Sequence, residues 1–199
     1  MSAHALVSVS HFHAVVLYVA MAVCFGPEWI GSFFQRPEKG ARKRDRGSHL
    51  VLFVAIGFGF AAAFTLVNGF PAATLAWHQP LQFWAGIGLM LAGLVFRWYA
   101  IRVLGSFFTR DVATRPGQYV VDTGPYRWIR HPSYTGAGLM LLGTGLAMTN
   151  WASLSAIVLG TGIGYAYRIH VEERALCRDL GDPYREYMRR TRRLIPFVW

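Results

Sequence analysis

The sequence predicts an all-α membrane protein, a polytopic bundle of about five transmembrane helices followed by a cytosolic helical region at the C-terminus. Of the 199 residues, 54% are hydrophobic and only 15% are charged, whereas an ordinary soluble domain carries about 25% charged residues. Asp, Glu, Lys and Arg are absent from residues 1–27, 47–96 and 131–167. Because about 20 apolar residues cross a bilayer, these three gaps fit one, two and two helices.

The positive charges supply the third observation, because they alternate along the chain with the predicted helices. All 20 Lys and Arg residues lie in three blocks, 36–46, 97–130 and 168–193. The positive-inside rule then predicts an N-terminus outside and a C-terminus in the cytosol, in a bacterial-type cell membrane. The net charge of +10 is therefore interpreted as a membrane-surface feature, and nucleic acid is not expected as a partner.

The helix boundaries follow from apolar runs and from proline and glycine. Proline favours the first turn of a helix and disfavours its interior. We expect Pro27 to help end helix one, and Pro80 and Pro132 to begin helices three and four. The predicted helices are 6–25, 49–67, 80–104, 132–148 and 152 to beyond 167, and a last short helix follows Asp182-Pro183.

The chain is expected to form one integral membrane domain over residues 1–199. Helices one and two occupy residues 1–70, and the functional core occupies residues 80–199. Glycines recur in helices four and five, and small residues let membrane helices approach closely, so these two helices are expected to form a tight hairpin. Cys24 and Cys177 are far apart in the sequence and form no CxxC unit, which favours two unpaired thiols.

Two polar clusters at predicted helix ends could perform chemistry. Arg130 to Tyr134 places a cation, an imidazole and a phenol where the chain enters helix four, although His131 alone could simply bond to backbone. Arg168 and Glu172 share one face where helix five leaves the membrane. They could be a local ion pair, or polar groups with a function at membrane-surface depth. No Rossmann, P-loop or metal-ligand spacing occurs, so any site must be built from helix ends and loops.

Three motifs in these regions resemble the isoprenylcysteine carboxyl methyltransferase family, a group of integral membrane methyltransferases related to the phospholipid methyltransferases. The first motif is Gly124-Pro-Tyr-Arg-Trp-Ile-Arg-His-Pro-Ser-Tyr-Thr-Gly136. The second is Arg168-x-x-x-Glu-Glu-x-x-Leu176, and the third is Gly181-x-x-Tyr-x-x-Tyr187. The resemblance covers roughly residues 98–196.

The resemblance implies a cytosolic pocket for S-adenosylmethionine, formed by residues 105–134 and 165–196. Glu172 would hydrogen-bond the cofactor and take part in catalysis, and Arg168 would bind and orient the substrate as the second catalytic residue. The other residues implied in cofactor binding are Gln118, Tyr119, Val120, Val121, Tyr126, His131, Pro132, Ser133 and Tyr134.

The predicted reaction is methyl transfer to a lipophilic acceptor at the membrane–cytosol interface, with a prenylcysteine-like carboxylate as the expected acceptor. Displacement at a sulfonium methyl group needs alignment of donor and acceptor and no metal ion. A phospholipid amine could also accept the methyl group, and it would need Glu172 or Glu173 as a base. The sequence is also compatible with a sterol-reductase-like enzyme that uses NADPH. A small transporter fits less well, because the inverted repeats of many transporters are not evident.

Overall fold

The fold is that of a helical bundle, seen in a computed structural model that describes residues 11–34, 42–43, 47–75, 78–108, 113–114 and 117–196. Most of the predicted basic loop 36–46 and residues 6–10 of predicted helix one lie outside these ranges. The described helices are α1 (His11–Phe34), α2 (Ser48–Gly69), α3 (Gln79–Leu104), α4 (Pro132–Ala147), α5 (Trp151–Leu180) and α6 (Asp182–Arg190). Two-residue strands, Arg42–Lys43 and Ala113–Thr114, pair antiparallel.

The predicted helices two to five are present, with boundaries within two residues where a boundary was predicted. The prediction that Pro27 helps end helix one is wrong, because α1 continues through it to Phe34. Proline removes a single backbone donor, and a chain in an apolar environment keeps its remaining backbone bonds by staying helical. At the other end, Gly181 has a φ of 65° and lets the chain leave α5 and enter α6 directly.

The outer faces of the bundle are apolar. Among the described residues, two helices are long and apolar enough to cross a membrane by length and composition, Ser48–Gly69 and Gln79–Phe107. Their outward side chains include Phe58 and Val95, which are 75% and 70% exposed. Large exposed apolar surfaces of this kind are unusual on soluble proteins and are expected on membrane helices.

Glycines of α4 and α5 pack these helices against α3 and α2 as well as against each other. A Cβ atom on Gly143 of α4 would lie 2.6 Å from the carbonyl oxygen of Gly86 in α3, and one on Gly160 of α5 would lie 2.5 Å from that of Ala55 in α2. The close pairs are therefore α3 with α4 and α2 with α5, while α4 and α5 meet less extensively. The predicted α4–α5 hairpin is present, with a Cβ atom on Gly145 of α4 only 2.8 Å from the Leu154 side chain of α5. The other close glycine contacts of these two helices are with α3 and α2, because periodicity shows which residues are small but not which helix they face.

The remaining packing creates a space inside the bundle. Helix α1 packs on α3 and α4, whereas α2 packs on α5. Helices α1 and α2 consequently form two walls of a space whose floor is made by α4 and α5. The edge-to-face contact of Phe25 with Phe60, 6.1 Å between ring centroids, joins these walls.

The C-terminal segment folds back onto the entrance of α4. The backbone amides of Arg130 and His131 donate to the carbonyl oxygens of Arg192 and Arg193 at 2.7 and 3.0 Å, and the amide of Arg192 donates to Trp128. Helix α6 is held beneath this segment by Tyr187, whose hydroxyl donates to the carbonyl oxygen of Tyr126 at 2.7 Å. The start of α4 is thereby held in place by the C-terminal segment and by α6.

Candidate active site

His131 occupies the position before α4, where its non-helical backbone, with φ −124° and ψ 55°, leads into the helix. Its side chain is buried, and its ring stacks on that of Tyr134 with centroids 5.4 Å apart and an interplanar angle of 7°. Stacking places the His131 ring beside two consecutive carboxylates of α5. Its Nε2 lies 3.4 Å from Glu173, and its Nδ1 lies 3.8 Å from Glu172. The imidazole ring therefore lies against two acidic side chains, and His131 is more than a helix-entry histidine bonded to backbone.

Tyr134 links the two residues of the second polar cluster. The Nε of Arg168 donates to the Tyr134 hydroxyl at 3.3 Å, and that hydroxyl donates to Oε2 of Glu172 at 2.6 Å. Arg168 is almost completely buried, while the Glu172 side chain is partly exposed. The one-turn spacing does bring Arg168 and Glu172 to a common site, and a residue of α4 stands between them.

Glu173, which the sequence offered only as an alternative base for an amine acceptor, is the centre of a buried ionic cluster. Its carboxylate accepts from Nε of Arg130 at 2.7 Å and from Nε of Arg193 at 3.1 Å. Burial by itself raises the pKa of Glu173, but hydrogen bonds from His131 and Arg130 outweigh it and hold the pKa at about 2. Glu173 thus ties α5 to the start of α4 and to the C-terminal segment. The only sign of this role in the sequence is that a second acidic residue directly follows Glu172.

A small cavity of about 80 Å³ lies between the loop before α4, the C-terminal part of α5 and α6. Gln118, Tyr119, Val120, Val121, Tyr126, His131, Ser133, Tyr134 and Glu172 all line it, as do Tyr184 and Tyr187. Nine of the ten residues implied in cofactor binding therefore surround one space. Pro132 is buried at the start of α4 and does not line this cavity.

A second, larger cavity of about 810 Å³ lies between α1 and α2 and extends down to α4 and α5. Its walls are almost entirely apolar, with Phe25, Leu52, Phe60 and Met140 among them. His49, Arg97, Tyr134 and Arg168 provide its polar lining. Arg97 is buried on α3 and donates from Nη1 to the carbonyl oxygen of Ser133 at 2.9 Å. In the sequence, Arg97 is only the first residue of the second basic block, 97–130.

The two cavities meet at the polar cluster. Phe108 and Tyr134 line both of them, Arg168 faces the large apolar cavity, and Glu172 faces the small one. A ligand in each cavity would therefore be separated by little more than these side chains. Such an arrangement can bring a lipophilic molecule from one side and a polar molecule from the other to a shared reaction point, which is a proximity effect.

Comparison with known proteins agrees with this geometry. Residues 86–178 match the Isoprenylcysteine carboxyl methyltransferase (ICMT) family. Protein-S-isoprenylcysteine O-methyltransferase of Tribolium castaneum is 32% identical over 115 residues, which are 57% of this chain and 41% of that protein. The Saccharomyces cerevisiae protein of the same name is 33% identical over 57% of this chain and 48% of its own length.

A solved structure of the eukaryotic intramembrane Ras methyltransferase ICMT aligns with 94% of this chain and 63% of that chain, with a TM-score of 0.59 and 25% identity. The fold of this chain is therefore similar to that of a helical membrane methyltransferase. The similarity to the isoprenylcysteine carboxyl methyltransferase family lies in residues 86–178 of this chain. The chain spans about two fifths to one half of the length of the two named relatives.

Proposed function

We propose that this protein transfers a methyl group from S-adenosylmethionine to the carboxylate of a lipophilic, prenylcysteine-like acceptor at the membrane surface. The observation that carries the proposal is the junction of an apolar cavity and a small polar-lined cavity at Tyr134, with Arg168 on one side and Glu172 on the other. The names of the relatives support the same acceptor chemistry.

The charges around the large cavity favour an anionic acceptor. The only charged side chains that line it within the described structure are those of Arg97 and Arg168. Two buried guanidinium groups attract a carboxylate and repel an ammonium group, and the effect is stronger where water is excluded. This observation favours a carboxylate over a phospholipid amine. A carboxylate is also nucleophilic without deprotonation, so the chain needs to supply no base for it.

The volume of the large cavity suits a lipid tail. About 810 Å³ falls within the range of cavities that enclose small ligands. Its lining follows α2 from His49 to Phe64, a helical rise of about 22 Å. An apolar tail could lie along α2 while its carboxylate reaches Arg168 at the cytosolic end. Helices α1 and α2 would then provide the acceptor cavity, and residues 80–199 the catalytic core.

The residues around the small cavity fit the polar groups of S-adenosylmethionine. Glu172 can accept hydrogen bonds from its hydroxyl or ammonium groups, and the Gln118–Val121 backbone can bond to its base. When bound, the cofactor supplies an electrophilic methyl group on a sulfonium centre. The volume of about 80 Å³ equals only two or three waters of liquid. S-adenosylmethionine is larger than this space, so it would also occupy the open surface beside the cavity.

The direct test is cofactor selectivity followed by product analysis. Purified protein in detergent should bind S-adenosylmethionine and not NADPH in a calorimetric titration. With methyl-labelled cofactor and a prenylcysteine, mass spectrometry should show a labelled methyl ester. Binding of NADPH alone would replace the proposal with a sterol-reductase-like activity, and a labelled lipid amine would replace the carboxylate acceptor.

The membrane orientation is part of the proposal, with five spanning helices, the N-terminus outside and the C-terminus in the cytosol. Cysteine labelling can test it at Trp151, which is 52% exposed, and at Asp182, whose side chain is 92% exposed. Each cysteine would be introduced singly after replacement of Cys24 and Cys177. A membrane-impermeant reagent should label Trp151→Cys from outside and Asp182→Cys only after lysis. Labelling of both positions from the same side would contradict the orientation.

A further inference from the structure

Ser48 is the first residue of α2 and lies 38 residues before the segment that matches the family. Gly47 precedes it with a φ of 74°, a left-handed conformation that glycine adopts without strain and that starts the helix abruptly. The Ser48 side chain is fully buried, with 0% exposure. Its hydroxyl oxygen accepts from Nη1 of Arg168 at 2.9 Å. A residue of the N-terminal half thus contacts the arginine of the candidate active site.

Two hydrogen bonds from Arg168 constrain the plane of its guanidinium group. Ser48 holds Nη1 from α2, and Tyr134 holds Nε from α4. A planar fork binds a carboxylate by two parallel hydrogen bonds only when its plane is correctly oriented. An arginine side chain has many rotamers, so each hydrogen bond to a fixed partner restricts the orientations of this plane. The contact from α2 adds a second constraint, and it comes from outside the three sequence motifs.

We propose that Ser48 is a positioning residue for the acceptor, acting through Arg168. It orients the guanidinium group toward the acceptor carboxylate in the large cavity. This inference rests on the proposed function, since it assumes that Arg168 binds a carboxylate. It also gives α2 a second role beyond forming a cavity wall.

The first experiment separates acceptor binding from cofactor binding. Ser48→Ala should raise the KM for a prenylcysteine acceptor by about tenfold, the effect of losing one hydrogen bond to a charged group, and leave the Kd for S-adenosylmethionine within twofold. Ser48→Thr keeps the hydroxyl and should restore most of the loss. Thr65→Ala is the matched control, because the Thr65 hydroxyl lies on the same helix and donates only to its own helix at Ala61 in the described contacts. It should change neither constant.

The second experiment tests whether Ser48 acts through Arg168. When Ser48→Ala is added to Arg168→Ala, acceptor KM should not change further, because the positioned group is already absent. Additive losses, or an equal rise in the cofactor Kd, would overturn the positioning role. A loss that Ser48→Thr fails to restore would also overturn it.

A binding comparison distinguishes failure of this inference from failure of the proposed function. A prenylcysteine with a free carboxylate and its methyl ester are titrated separately against the wild-type protein without cofactor. Wild type should prefer the carboxylate, and Ser48→Ala should lose about nine tenths of that preference. No preference in the wild type would refute the carboxylate function itself. A full preference retained in Ser48→Ala would refute the role of Ser48 alone.

Discussion

Replacement of Tyr134 by Phe should impair both halves of the proposed reaction to unequal extents. The hydroxyl donates to Glu172 at 2.6 Å and accepts from Arg168 at 3.3 Å. A short hydrogen bond to a carboxylate contributes about 1.5–3 kcal/mol, whereas a long one contributes at the lower end of about 0.5–1.5 kcal/mol. Because about 1.4 kcal/mol corresponds to a factor of ten, the variant should bind S-adenosylmethionine roughly tenfold more weakly. Its acceptor KM should rise by only about two- to fivefold.

Two measurements on one preparation give these values. Calorimetric titration measures the cofactor Kd, and transfer of a labelled methyl group at saturating cofactor measures the acceptor KM. Tyr18→Phe is a suitable control, since Tyr18 of α1 is 55% exposed and lines neither cavity. It should leave both constants unchanged. An acceptor KM that rises more than the cofactor Kd would refute the assignment of Glu172 to the cofactor and Arg168 to the acceptor.

Three further substitutions test other parts of the site and fold. Arg168→Lys should raise the acceptor KM at least tenfold and leave cofactor affinity within a few-fold, because an ammonium group cannot form a bidentate fork; parallel losses in both constants would reject this role. Glu173 has a pKa lowered from 4.5 to about 2, so its stabilisation, about 3 kcal/mol, is complete above pH 4.5 and is lost as pH falls toward 2. The melting temperature of Glu173→Gln should therefore be lower than that of the wild type at pH 7, and it should fall less between pH 4.5 and pH 2. Melting temperatures with the same pH dependence in both proteins would contradict the ionised cluster. Gly143→Ala should lower the melting temperature by the equivalent of about 1–3 kcal/mol, whereas Gly138→Ala, with no atom within 4 Å of the added Cβ, should not; equal effects of the two would count against close α3–α4 packing.

The sequence could predict the helices because the signals for them are local. Charge-free stretches, the prolines at positions 80 and 132 and the glycine at position 181 determine where the chain enters and leaves helical structure. The pairing of helices was not local. The sequence around Gly143 does not indicate whether this glycine faces α3 or α5. Only the folded bundle places it against Gly86 of α3. A proline signal also failed once, since α1 continues through Pro27.

The candidate site divides in the same way. Arg168 and Glu172 are one helical turn apart, so the sequence alone places them together, and the motif before α4 adds His131 and Tyr134 to the expected set. The contacts that connect them span large sequence separations. The hydrogen bond of Arg168 to Ser48 joins residues 120 positions apart, and that of Arg130 to Glu173 joins residues 43 apart.

Residue types in a short segment therefore indicate which chemical groups lie together in this protein, because helix geometry fixes the relative positions of residues within one or two turns. The partners that orient those groups come from other helices, and their identity depends on how the bundle packs. Glu173 shows the difference most clearly. The sequence shows only that its carboxylate lies on a different face of α5 from that of Glu172. The tertiary structure places Arg130 and Arg193 against that face, where they form a buried cluster with Glu173.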